Sequence, residues 1–449
     1  MKVLVAGGSL MAVRLIESLM HKHQVVCLTS VASPHLHSEH LNAEVLEGPI
    51  TSPASLTDAG AGDVDVFVAC STSDEQNIVA CMAAHRLGAK RTLCVINGHS
   101  FLSTTQDRRE MADALGIDEV IRPIEQLSDE LISIVQVPGA LEIEPVADGR
   151  LALFRYAVGD ASPSLGKTLS DLRLPQGARL VHVRRGEEFL VPRGDTRLRA
   201  GDKIIAMGEH KSCAKLGALL CNQRRRPKDA AVIGGGRVGR AVTRGLMKAG
   251  WRVTVVDKCE ERCRKVAENT EALVLHGDGT DVAFLEQEGI ADRQVVIAVT
   301  DSDEKNLLVS LVVKQLGGPR IVTRADRLTN EKLFERVGVD VVRSAKGAAI
   351  RTVLRSIDDA ESEILAELEH GEACVLEVTL RDSAEPIAMN ALAPPAYAVV
   401  GAILRGEETI IPGGADSLKP LDHLFVFCSR EDQEAIHNYF EHPRPAPED

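Results

Sequence analysis

The stretch IGGGRVGR, residues 233–240, stands between the short apolar run AAV and a segment of helical spacing. Its glycines Gly234, Gly236 and Gly239 form the pattern Gly-x-Gly-x-x-Gly. After a strand and at the opening of a helix, the three serve in order for a tight turn, for close backbone approach to a pyrophosphate, and for close helix–strand contact. The helix start adds free N–H groups and a partial positive charge, with Arg237 and Val238 inside that first turn. The next strand, WRVTVVD (251–257), ends on Asp257. A carboxylate there can accept both hydroxyls of an adenosine ribose and disfavours a 2′-phosphate.

Strands and helices alternate from this point. EALVLHGD (271–278), QVVIAVT (294–300), RIVTRA (320–325) and DVVRS (340–344) read as strands, separated by segments of helical period. Such alternation implies a parallel, doubly wound α/β sheet with right-handed crossovers. Asp278 and Thr280 follow the third strand, where they either reach the adenine side of a pocket or form an ordinary capped turn. Asp303, Glu304 and Asn306 open the next helix, as site neighbours or as plain helix caps.

The chain reads twice. STSDEQN (71–77) matches TDSDEKN (300–306) at an offset of 229, and FLVPRGDTRLRAGDKIIAM (189–207) matches TIIPGGADSLKPLDHLFVF (409–427) at an offset of 220. Each copy is a Rossmann-like part followed by a small α+β module rich in short strands. The boundaries fall at 1–138, 139–225, 226–365 and 366–449. In the first copy the turn aligns Ala6, Gly8 and Met11 with Gly234, Gly236 and Gly239; Thr29 replaces Asp257 and Pro49 stands near the place of Asp278. Met11 is expected to crowd helix against sheet. This copy is expected to keep the fold and to bind a dinucleotide weakly or not at all.

Bulk properties narrow the class. A chain of 449 residues is too long for one core. A net charge of −13 disfavours nucleic acid as a partner, and aromatics at 3% disfavour base-stacking platforms. The basic run RRRPK (224–228) reads as a solvated linker. Ten cysteines without zinc-like pairs suit a reducing compartment; Cys259 and Cys263 share a helix face. His35, His37 and His40 read as solvated, and no metal site is expected. The opening MKVLVAGG is a strand rather than a signal peptide, and no apolar run approaches the ~18 residues of a membrane span. A soluble, cytoplasmic protein is expected.

The pieces VIGGGRVGRAV, VVDKCEER, GDGTD, AVTDSDEKNLLVSLVVKQLG and LVPRGDTRLRAGD resemble the tandem RCK proteins of bacterial potassium uptake, the TrkA family, over nearly the whole chain. The resemblance implies paired RCK-N (Rossmann) and RCK-C parts, a homotetrameric ring, and attachment at the inner face of the cell membrane to an integral-membrane potassium transporter of the TrkH type. It implies NAD or NADH, or ATP or ADP, as a regulatory ligand. Carried over, the site comprises Gly234, Gly236, Arg237, Val238, Gly239, Asp257, Lys258, Asp278, Gly279, Thr300 and Arg324. The rival is an NAD-dependent oxidoreductase, since the fold alone does not decide function. Hydride transfer needs an acid/base beside the nicotinamide, and His182 and His423 stand singly in strand-like stretches. A duplicated unit with one site degraded fits a sensor, and no catalytic residues are expected.

Overall fold

The computed structural model describes residues 1–30, 43–98, 107–186, 188–190, 192–221, 228–318, 320–358, 364–368, 373–382 and 385–443. His35, His37, His40 and the basic run before Lys228 lie outside the described residues.

The first Rossmann part runs β1 (Lys2–Ala6), α1 (Leu10–Leu19), β2 (Gln24–Thr29), β3 (Glu44–Glu47), α2 (Pro53–Asp58) and β4 (Val66–Ala69). It continues with α3 (Asp74–Leu87), β5 (Thr92–Val95), α4 (Asp107–Ala114), β6 (Glu119–Ile121) and α5 (Pro123–Gln136). A small module follows: β7 (Ala140–Val146), β8 (Leu151–Ala157), β9 (Ala178–Arg185), β10 (Glu188–Leu190), β11 (Lys203–Gly208) and α6 (His210–Leu220). The second Rossmann part runs β12 (Asp229–Ile233), α7 (Arg237–Lys248), β13 (Arg252–Asp257), α8 (Glu260–Asn269), β14 (Leu273–His276) and α9 (Val282–Gln287). Next come β15 (Val295–Ala298), α10 (Asp303–Gln315), β16 (Ile321–Arg324), α11 (Leu328–Arg336), β17 (Val341–Arg343) and α12 (Ala345–Asp358). The last module holds β18 (Ile364–Leu368), β19 (Ala373–Thr379), β20 (Ile387–Ala388), β21 (Ala398–Arg405), β22 (Glu408–Ile410), β23 (Ser417–Leu418), β24 (His423–Ser429) and α13 (Gln433–Glu441).

These elements gather into two compact units, each drawn from both copies: Met1–Leu131 with Ala230–Ile357, and Ile132–Asp229 with Asp358–Asp449. In the first unit each copy forms a six-stranded parallel sheet, ordered β3-β2-β1-β4-β5-β6 and β14-β13-β12-β15-β16-β17. This is the doubly wound order, and it leaves a crevice at the strands' C-terminal ends where the order reverses. Strands covered on both faces must be apolar throughout, and Val3, Leu4, Val5 and Ala6 have no exposed surface.

The offset-229 repeat turns out to be a structural stitch. Asp303, almost fully buried, accepts from the backbone N–H of Asp326 (2.6 Å) and from Asn330 Nδ2 (2.7 Å). Asp74 accepts from Asn97 N (2.8 Å) and Gly98 N (2.6 Å) in the same way. Asn306 bridges Thr300 N to Arg324 O, as Asn77 bridges Ser71 N to Val95 O. These side chains tie a helix start to two strand ends, satisfying groups that burial would otherwise strand.

The alignment of the first copy's turn needs correcting by one residue. Gly7 N donates to Leu28 O as Gly234 N donates to Val256 O, so Gly7, Ser9 and Ala12 are the counterparts of Gly234, Gly236 and Gly239. Met11 does not crowd the turn; it packs in the core of the first sheet with Val3, Leu15 and Val66.

One helix crosses between the copies. Ala349, Ile350, Val353 and Ile357 of α12 belong to the core of the first sheet, beside Val66, Leu93 and Ile121. Arg351 of α12 grips Glu130 of α5 at 2.6 Å. Arg91 donates to Ser356 Oγ (3.1 Å) and pairs with Glu119.

In the second unit the two modules place five-stranded antiparallel sheets, β10-β9-β11-β8-β7 and β18-β19-β24-β21-β22, around one apolar core. Val181, Ile205 and Met207 meet Val375, Phe425 and Phe427 there, and Tyr397 donates to Val181 O at 2.5 Å. His182 is fully buried and stacks on Phe427. The offset-220 repeat is an ion pair. Arg185 holds the fully buried Asp202 through Nε (2.8 Å) and Nη2 (2.9 Å), and Arg405 holds Asp422 through the same atoms at 2.8 Å each.

Candidate functional site

The three glycines of the second copy differ in what they permit. Gly234 has φ +115°, and a Cβ there would sit 3.0 Å from the Val299–Thr300 backbone. Gly239 allows no side chain, because its Cβ would lie 1.7 Å from Gly234 O. Gly236 faces open space and is the N-cap of α7, with no side-chain hydrogen bond to the helix start. The first N–H groups of α7 therefore point outward without a cap, which is the arrangement that favours an anion. In the first copy Ser9 fills this place, and its Oγ accepts from Ala12 N at 3.3 Å.

Asp257 ends β13 beside this turn and is 6% exposed. Its Oδ2 accepts from Gly235 N at 2.7 Å and its Oδ1 from Cys259 N at 2.8 Å. These bonds fix the carboxylate at the crevice. The pocket there has about 410 Å³ of open volume and draws on four strand ends. Gly234, Asp257, Lys258, Asp278, Gly279 and Thr300 line it together, with Ile233, Val256 and Val309 as its apolar walls. In the turn after β14, Asp278 lines the pocket while its Oδ1 accepts from Thr280 N (2.9 Å) and Thr280 Oγ1 (2.7 Å). Those two donors hold its carboxyl below the usual range.

The remaining expected residues lie elsewhere. Arg237 is the first residue of α7, and its Nη1 donates to Asn97 O of the first copy at 2.7 Å. The Val238 side chain is buried in the core, so only its backbone faces the turn. Arg324 does not line the pocket; its guanidinium bonds Asp326, two residues on, at 2.7 Å.

Two cations in the pocket lining are missing from the expected set. Arg262 stands 3.7 Å from Asp257, and Lys305 lines the pocket with Lys258. The Lys258 ammonium holds Lys305 below the usual lysine range, the mark of two like charges facing one space. Both missed residues lie in the first turn of a helix, α8 and α10, where the macrodipole disfavours a cation. That breach of a local rule is the sequence signal that could have found them. Among the described residues no cluster of three or more histidine, cysteine or carboxylate side chains could hold a metal, and no helix is long and apolar enough to cross a membrane.

Residues 3–123 and 230–345 each match the TrkA-N domain family, and residues 153–220 match the TrkA-C domain family. The chain is 31% identical to a protein of Archaeoglobus fulgidus named Trk system potassium uptake protein TrkA homolog, covering 98% of this chain and all of the relative. It is 30% identical to TrkA homolog 1 of Methanosarcina mazei, with the same coverage. The crystal structure of the GsuK RCK domain superposes with a TM-score of 0.60 at 20% identity, over 98% of this chain and 94% of that one. With both Rossmann parts and the first small module matched, and a relative matched over its full length, this chain belongs to the TrkA family.

Proposed function

We propose that this chain is a nucleotide-sensing regulatory subunit that gates a membrane potassium uptake transporter, rather than an NAD-dependent oxidoreductase. The observation that carries the reading is the uncapped start of α7 at Gly236 beside the fixed carboxylate of Asp257, both at one sheet crevice. Pyrophosphate at residues 236–239 and an adenosine ribose at Asp257 suit NAD or NADH, with ADP or ATP sharing the same adenosine and phosphate chemistry. Lys258, Asp278, Gly279 and Thr300 complete the walls. The names of the relatives support a potassium uptake system as the setting; the partner in this reading is a TrkH-type membrane subunit, met at the inner face of the cell membrane.

Association with further copies, in this reading as a homotetramer, has support in a repeated surface. Val79 and Met82 of α3 and their offset-229 counterparts Leu308 and Leu311 of α10 are all well exposed, at 38–48%. Apolar side chains left exposed at matching positions in both copies fit a face covered by further chains. A ligand moves such an assembly only by its difference in affinity for two states, typically about 1–3 kcal/mol per coupled site.

Calorimetric titration of the whole protein with NADH, NAD, ATP and ADP tests the reading. One site per chain is expected, abolished in Asp257→Ala. Absence of binding by the unaltered protein, or steady nucleotide turnover, overturns it.

A further inference from the structure

We infer that a second pocket in the first unit, lined from both copies, binds a phosphate group. The pocket has about 240 Å³ of open volume. Asn97 and Gly98, just beyond β5, form one wall; Arg122, Ile124 and Glu125, around the start of α5, form the second. Arg237, from the other copy, closes it.

Three positive features converge here. The Arg122 side chain is 10% exposed, and Glu125, its neighbour in the lining, stands 3.9 Å away. Arg237 reaches across to Asn97 O at 2.7 Å. Ile124 and Glu125 lie in the first turn of the 14-residue helix α5, whose N–H groups have no intrahelical acceptor. The nearby Asp74 carboxylate is occupied by Asn97 N and Gly98 N, so among the described residues Glu125 is the one acid in the lining. Two guanidinium groups approaching from different directions, with a helix start between them, suit a tetrahedral oxyanion.

The duplicated chain supplies a control. The residue before α12, in the place of Arg122, is Ser344, whose Oγ caps the helix by accepting from Gly347 N at 3.0 Å. Serine there follows the ordinary preference for a helix N-cap, whereas arginine opposes both that preference and the macrodipole. Glu125 offsets part of the cost of placing arginine in the first copy, and a bound anion would add to that offset.

The phosphate has two candidate sources: the free ion, or the terminal phosphate of a nucleotide whose adenosine sits beside Asp257. The second source rests on the function proposed above. Arg237, in the second pocket, stands only three positions beyond Gly234 in the first, a chain span of at most ~11 Å.

Calorimetric titration of the full chain with inorganic phosphate, AMP and ATP, for the unaltered protein and Arg122→Gln, separates the sources. A fall of about tenfold or more in ATP affinity with AMP affinity unchanged assigns the pocket to the nucleotide's terminal phosphate. Loss of inorganic phosphate binding, with the ratio of ATP to AMP affinity unchanged, assigns it to the free ion. Equal affinities of both proteins for all three probes, with matching thermal melts, overturn the inference. Should Arg122→Gln not fold, Arg237→Gln removes the opposite wall and must give the same losses. If neither nucleotide binds the unaltered protein, the proposed function fails while the phosphate titration still decides this pocket.

Discussion

Gly236 and Ser9 occupy one place in two copies of the same turn, with opposite results. The serine hydroxyl satisfies the start of α1, and the glycine leaves the start of α7 open. Gly236→Ser should therefore keep the melting temperature, since N-cap serine and glycine differ by only a few tenths of a kcal/mol. Its nucleotide affinity should fall, because the hydroxyl takes an N–H meant for phosphate; undiminished affinity in a folded variant contradicts this. Lys305 makes a second prediction. Its proton is held loosely because Lys258 faces it, and an anion between them restores the affinity for that proton. Nucleotide binding should then take up protons at alkaline pH and weaken as pH rises through the lowered Lys305 value of the free protein toward the higher one of the complex. Titration in two buffers of different ionisation enthalpy reads this directly, and identical heats refute it. The placement of the glycines in the turn and of Asp257 at the strand end was legible in sequence because it is set by backbone conformation close by. Arg324 lies outside the pocket lining and bonds Asp326, a side-chain pairing that spacing does not encode.

At the scale of elements, strand and helix order was legible from periodicity, since buried parallel strands announce themselves as apolar runs. The destination of α12 was not. Helical spacing shows which face is apolar, not which sheet covers it, and this face covers the sheet of the other copy. Ile357→Ala should lower the stability of the first unit by about 2–5 kcal/mol through the cavity left behind. A shift in the denaturant midpoint measures it, and an unmoved midpoint would mean that α12 contributes little there. The one-residue slip in the first turn has a similar origin. Gly8 offered itself as the match for Gly236, and only the backbone bonds from Gly7 to β2 and from Gly234 to β13 fix the register.

Over the whole molecule, the internal repeat marked four segments, but not the way they pair. Like associates with like: the two Rossmann parts form one unit and the two small modules the other. Those contacts join residues more than 200 positions apart, such as Glu130 with Arg351, beyond the reach of any local pattern. The duplication also freed one copy to diverge, so Ser9 and Thr29 stand where the other copy keeps Gly236 and Asp257. The crossing of α12 bears on how the protein can be cut. A polypeptide of residues 1–225 lacks the helix that covers its own sheet, and it lacks half of the core around Val181 and Phe427. Expressed alone, it should aggregate; co-expressed with residues 226–449, it should co-purify as an equimolar complex with the nucleotide site intact. Recovery of residues 1–225 as a soluble, monodisperse species would show that the halves are separable. The expected outcome makes the peptide bond between the copies dispensable, and complementation replaces covalent linkage as the condition for folding.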